Sequence, residues 1–274
     1  MAPPIEEATA AVDGVEVFYR CTAGEGEPTV FVHGNPSHSE DWVPFIERVD
    51  GPAIAADLPG WGRSARPDDL DYSMWGLAAF HDRFLDELGV GSHRLVVHDW
   101  GSLALIGAQR RPERVSRLVL INAVPLLPGY RWHWVARWLW RVPGLGELAN
   151  ATTTKASLRL ISRQATPRPG PLPDELTDSV WRGWGGGTRR PILELYRSAD
   201  PEQLAAAGGE LSALECPALV AWGAGDPYLP EGFGRAYAER LPGAELVSLP
   251  DAGHWPWLER PDLIDRVVAF LDAN

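Results

Sequence analysis

The chain has 274 residues, 45% hydrophobic and 23% charged, with 37 acidic against 25 basic side chains and a net charge of −12. Such a chain can bury a large core and is not disordered in composition. Its acidic balance repels phosphate backbones, so no nucleic-acid partner is expected. Cys21 and Cys216 show neither CxxC nor metal-ligand spacing, which points away from a disulfide scaffold or a metal site. No run reaches the 18 apolar residues of a membrane span, and residues 1 to 11 lack an apolar leader. The expectation is a cytoplasmic chain with no membrane partner.

In chain order, Val15 to Arg20 alternates like a half-exposed leading strand. Thr29 to His33, Ala53 to Leu58, Arg94 to Asp99 and Arg117 to Ala123 are short apolar runs that read as buried strands, and Pro217 to Gly223 and Ala244 to Leu249 repeat the signal. Helical patterns cover Trp75 to Leu88, Ser102 to Arg110, Gly232 to Arg240 and Leu263 to Leu271. Strands alternating with helices imply an α/β fold with a mostly parallel sheet covered on both faces. Residues 124 to 210 break this rhythm. They show no convincing buried strand, hold six of the thirteen tryptophans and are net basic. That shift marks an inserted helical cap at 124–210 between core segments 1–123 and 211–274. Gly185, Gly186 and Gly187 suggest a flexible turn within it.

Four motifs carry chemistry. Val97-His98-Asp99-Trp100-Gly101-Ser102 runs from a strand end into a helix start, the layout of a nucleophile elbow. An Asp there is ionised at neutral pH and needs no base to attack carbon, although an Asp before a helix can equally be an N-cap. His33-Gly34-Asn35-Pro36 follows the first core strand. Asp226 ends Trp222-Gly223-Ala224-Gly225-Asp226, and His254 lies in Asp251-Ala252-Gly253-His254-Trp255. Each sits just past a strand's carboxyl end, where parallel sheets place their sites.

With Asp57-Leu58-Pro59-Gly60-Trp61-Gly62-Arg63-Ser64, these motifs make the chain resemble the α/β-hydrolase superfamily over nearly its whole length. The elbow resembles the epoxide hydrolase and haloalkane dehalogenase branches, which use an Asp nucleophile. The resemblance implies Asp99 as nucleophile, with His254 and Asp226 activating the water that cleaves an ester on Asp99. Backbone N–H groups of Asn35 and Trp100 would form the oxyanion hole. Leu195-Tyr196-Arg197-Ser198 resembles the epoxide hydrolase segment whose tyrosine hydroxyl assists ring opening. Asn35 with Trp100 resembles a dehalogenase halide-binding pair. The commonest dehalogenases carry their acid near the position of Asn122, so here Asp226 must serve.

The reading expected from the resemblance is an epoxide hydrolase with Tyr196 as acid. A haloalkane dehalogenase and a non-catalytic ligand-binding homologue are the alternatives. Substrate contacts are expected from His33, Trp134, Trp138 and Trp184, and the substrate is expected to be a small apolar epoxide or haloalkane, used with water. No metal, nucleotide or flavin is implied, since the Gly-rich segments lack phosphate-binding spacing. A monomer or homodimer is expected.

Overall fold

The computed structural model describes residues 3–167, 172–184 and 189–273. Gly185 to Gly187 therefore lie outside the described residues. Eight strands form one sheet: β1 (Glu6–Val12), β2 (Val15–Thr22), β3 (Thr29–Val32), β4 (Ala53–Ala56), β5 (His93–Asp99), β6 (Val115–Ala123), β7 (Ala218–Gly223) and β8 (Glu245–Leu249). Their spatial order is β1-β2-β4-β3-β5-β6-β7-β8. β1 and β2 form an antiparallel hairpin and β2 runs antiparallel to β4. The other pairings are parallel.

The central strands are buried on both faces, and the alternation of side chains shows why they read as continuous apolar runs, whereas the edge strand β8, expected to be buried, is mostly exposed from Glu245 to Ser248. Val30, Val32, Leu95, Val97, Leu118 and Leu120 join one core. Their neighbours Phe31, Val96, Val119 and Ile121 join the other. The helices are α1 (Val43–Ile46), α2 (Met74–Glu87), α3 (Ala104–Ala108), α4 (Leu145–Thr152), α5 (Lys155–Ser162), α6 (Asp174–Trp184), α7 (Arg189–Ser198), α8 (Pro201–Ala207), α9 (Gly232–Arg240), α10 (Pro256–Glu259) and α11 (Asp262–Leu271). In α2, Ser73 caps the start by accepting the Gly76 N–H at 3.0 Å. Leu77, Phe80, His81 and Phe84 then give one buried stripe at helical spacing.

Between β6 and β7 the described residues form helices and loops and contain no strand. β1 is the element that the sequence pattern did not suggest. Its burial alternates weakly, from exposed Glu6 to buried Val12, so it carries little apolar signal. The first connection between parallel neighbours runs from β3 to β4 on one side, whereas β5 lies on the other side of β3. That reversal opens a crevice beyond the ends of β3 and β5, the natural place for a ligand in a sheet of this kind.

Candidate active site

Asp99 ends β5 in that crevice, with φ 49° and ψ −122°. A non-glycine residue at positive φ is strained and marks a turn held by its surroundings. The turn is too tight for side chains nearby. A Cβ on Gly101 would lie 2.0 Å from the Val32 carbonyl oxygen, and one on Gly34 would lie 2.3 Å from Asp99 Cβ. A short 3₁₀ turn, Trp100–Leu103, follows before α3 begins, which is why α3 starts later than the helical pattern suggested.

The Asn35 N–H donates to Asp99 Oδ1 at 2.7 Å. Burial raises the Asp99 pKa, opposed by the neighbouring His254 and by the Asn35 and Trp100 N–H groups, which favour the anion. Both amides therefore favour the ionised carboxylate. His254 Nε2 lies 3.6 Å from Asp99 Oδ2. Its other nitrogen, Nδ1, lies 2.7 Å from Asp226 Oδ2. Asp226 Oδ1 accepts the Tyr228 and Leu229 N–H groups at 2.7 and 3.1 Å, so the carboxylate cannot swing. Burial alone would lower the His254 pKa, but Asp226 and Asp99 outweigh it and the net shift is upward.

Sequence reasoning passed over two supports. Asn122 Nδ2 donates to Asp226 Oδ2 at 2.8 Å, while Asn122 Oδ1 accepts the Gly223 N–H at 2.8 Å. His98, under the elbow, has Nε2 2.8 Å from the His254 carbonyl oxygen. Burial pushes its pKa well down, so the neutral ring donates that bond. The adjacency of His98 to Asp99 was the available signal, though nothing in the sequence tied it to the His254 loop.

A cavity of about 290 Å³ opens above Asp99 and His254. Tyr196 from α7 enters it almost completely buried. Its hydroxyl accepts a long 3.4 Å hydrogen bond from Asn35 Nδ2. Its ring stands edge-on to Trp100 at 5.1 Å. The Trp100 indole N–H lies beside the same hydroxyl without an aligned bond and is itself buried. Burial and the Asp99 charge hold the Tyr196 pKa well above its ordinary value, so the hydroxyl keeps its proton. Tyr130, Trp132, His133, Trp140, Trp184 and Tyr228 complete an aromatic wall.

Three expected substrate contacts are placed elsewhere. His33 is fully buried behind the loop, bonded through Nδ1 to the Gly34 carbonyl at 2.7 Å and through Nε2 to the Leu58 N–H at 2.9 Å. It shapes the Asn35 loop and does not line the cavity. Trp134 and Trp138 are 56% and 58% exposed. Spaced four residues apart, they share the outer face of a segment whose inner face presents Val135 and Leu139 to the cavity. Among the described residues no group of His, Cys, Asp and Glu side chains is arranged to hold a metal ion.

The model of the α/β hydrolase fold family matches residues 27–261. The chain belongs to this family. Its curated relatives include a haloalkane dehalogenase of Mesorhizobium japonicum, 31% identical, with 90% of this chain and 85% of the relative covered. A cis-3-alkyl-4-alkyloxetan-2-one decarboxylase of Shewanella oneidensis is 29% identical over 90% of this chain and 81% of its own. Among solved structures, haloalkane dehalogenase DbeA from Bradyrhizobium elkani superposes with a TM-score of 0.80 at 30% identity, covering 97% of each chain. The α/β-hydrolase fold and a hydrolase activity follow from this membership. No helix among the described residues is long and apolar enough to cross a membrane.

Proposed function

We propose that this α/β hydrolase opens an epoxide through an ester on Asp99 and releases a vicinal diol. One observation carries the choice of substrate. The Tyr196 hydroxyl accepts the Asn35 side-chain N–H inside the cavity that Asp99 also lines, so an O–H is available there to the leaving atom. An alkoxide forming on carbon is strongly basic and needs a proton, which a backbone amide supplies poorly.

In the proposed cycle, the Asp99 carboxylate attacks an epoxide carbon from the side opposite the C–O bond. That bond breaks as Tyr196 passes its proton to the oxygen. His254, oriented by Asp226, then takes a proton from water, and the resulting hydroxide adds to the ester carbonyl carbon. The oxyanion accepts the Asn35 and Trp100 N–H groups, each worth about 3 kcal/mol in good geometry. Collapse of this adduct expels the diol oxygen, which takes the proton held by His254, and the Asp99 carboxylic acid so formed gives its proton back to the Tyr196 phenolate. The helical segment 124–210 acts as a cap that keeps bulk water from the ester.

Haloalkane dehalogenation is the second reading. It is favoured by the convergence of Asn35 Nδ2 and the Trp100 indole N–H and by the dehalogenase relatives. Tyr196→Phe and Asn35→Ala, each assayed with an aryl epoxide and a bromoalkane, separate the two. For epoxide opening, Tyr196→Phe should lose about 10²-fold in alkylation, the usual scale for general acid catalysis, and Asn35→Ala should lose less. Bromide release that depends on the Asn35 side chain and ignores Tyr196 would overturn the proposal.

A further inference from the structure

Among the described residues six large hydrophobic side chains are exposed, and five of them, Trp134, Trp138, Leu145, Leu148 and Leu160, lie in one stretch of the helical segment. Exposed tryptophans and leucines gathered on one part of a soluble chain mark an interaction surface more often than chance. Trp134 and Leu160 line one surface depression together with Ile161 and Arg163. Ile161 also lines the cavity above Asp99, so the outer depression adjoins the inner chamber at this side chain. The Trp134 and Leu160 part of this surface therefore borders the cavity of the candidate active site.

Its charge opposes that of the whole chain. Residues 131 to 163 hold six basic side chains and one acidic, within a chain of net charge −12. Lys155, Arg159 and Arg141 pair with Asp178, Asp174 and Asp200. Among the described residues Arg131, Arg137 and Arg163 are exposed and have no carboxylate in ion-pairing range, and Arg137 lies 5.0 Å from the centre of the Trp138 ring.

We infer that this face docks on an anionic lipid surface and admits lipophilic substrate past Ile161. Tryptophan at the headgroup level, leucines below it and arginines reaching the phosphates are the parts that such docking uses. A second copy fits the charge worse. A symmetric contact would set Arg131, Arg137 and Arg163 against their own kind. The sequence excluded a spanning helix, and a surface-lying face is a different device that composition alone does not reveal.

The test is sedimentation of the purified chain with vesicles of phosphatidylcholine, alone or mixed with phosphatidylglycerol. Binding should require phosphatidylglycerol and should weaken at high salt. Trp134→Ser with Trp138→Ser should abolish it. Each of Arg131→Glu and Arg137→Glu should weaken it roughly fivefold or more. All four positions are exposed, and unchanged melting of the variants would show that folding is intact. Two outcomes overturn the inference: no preference for phosphatidylglycerol, or a dimer in light scattering that the tryptophan variant dissolves. Vesicle binding is read without any substrate, so it stands apart from the proposed epoxide chemistry. Only the entry route rests on that reading.

Discussion

Asn122 Nδ2 donates to the same Asp226 oxygen, Oδ2, that faces His254 Nδ1, at 2.8 and 2.7 Å respectively. Asn122 sits at the end of β6 with φ 36°, and its Oδ1 ties down the Gly223 N–H at the end of β7. It therefore joins two strand ends and fixes the carboxylate that orients His254. Asn122→Ala should leave the Gly223 N–H unpaired, with a stability loss of about 1 to 3 kcal/mol. It should also remove one hydrogen bond from Asp226 Oδ2, leaving the Tyr228 and Leu229 N–H groups to hold only the other oxygen. Turnover should fall by roughly 10-fold or more, the scale typical of a lost support behind a catalytic group. Asn122→Asp should not restore activity, since a second carboxylate would face Asp226. Steady-state rates and melting curves for both variants check this.

The pH dependence of the second half-reaction follows from the upward shift of His254. The ring must be neutral to take a proton from water, and the neutral form exists above its pKa. The rate of ester hydrolysis should therefore rise with pH, with a midpoint that Asp226 holds up against the effect of burial. Asp226→Asn removes the main group that raises that pKa. The midpoint should then move down while the maximal rate falls. Single-turnover kinetics across pH 5 to 9 would show it, and a midpoint unmoved in Asp226→Asn would contradict the assignment of Asp226.

A buried histidine away from the site gives a stability prediction. His81, on the buried stripe of α2, has its pKa lowered to about 3 by burial, with His93 and Arg114 adding to the effect. Its folded pKa lies below the unfolded value of about 6.5. Below pH 6.5 the unfolded chain takes up a proton that the folded chain refuses, so stability falls with pH until about pH 3. His81→Leu removes that proton uptake. Relative to the parent, the variant should gain about 2 kcal/mol between pH 7.5 and pH 5, at about 1.4 kcal/mol per pH unit below 6.5. Denaturant unfolding at the two pH values measures the difference, and an unchanged difference would show that His81 is protonated in the folded state.

Much of the fold was legible because its central strands are buried on both faces. Val96 and Val97 point into different cores and are both apolar, so β5 stands out as a run. The site residues Asp99, Asp226 and His254 were readable for a related reason. Asp99 ends β5, Asp226 and His254 lie three and five residues past β7 and β8, and the strand ends converge in space. Trp134 and Trp138 were misplaced because tryptophan content does not say which side of a helix faces inward. The π-helical turn Ala136–Trp140 shifts that phase further. His33 was misplaced because its neighbour Asn35 meets Asp99, whereas its own ring turns back toward Leu58. The role of Asn122 depended on the approach of β6 and β7, a contact between residues 101 positions apart in the chain.

In the proposed cycle a covalent ester forms on Asp99, and His254 is needed only to cleave it. His254→Gln should therefore react with an epoxide and stop. Intact-protein mass spectrometry of that variant after brief exposure to an aryl epoxide should show a mass increase equal to the whole epoxide, with fragmentation placing it on Asp99. Asp99→Ala should show none. An unmodified His254→Gln chain, under conditions in which the parent turns the epoxide over, would contradict the account, as would an adduct that persists in Asp99→Ala.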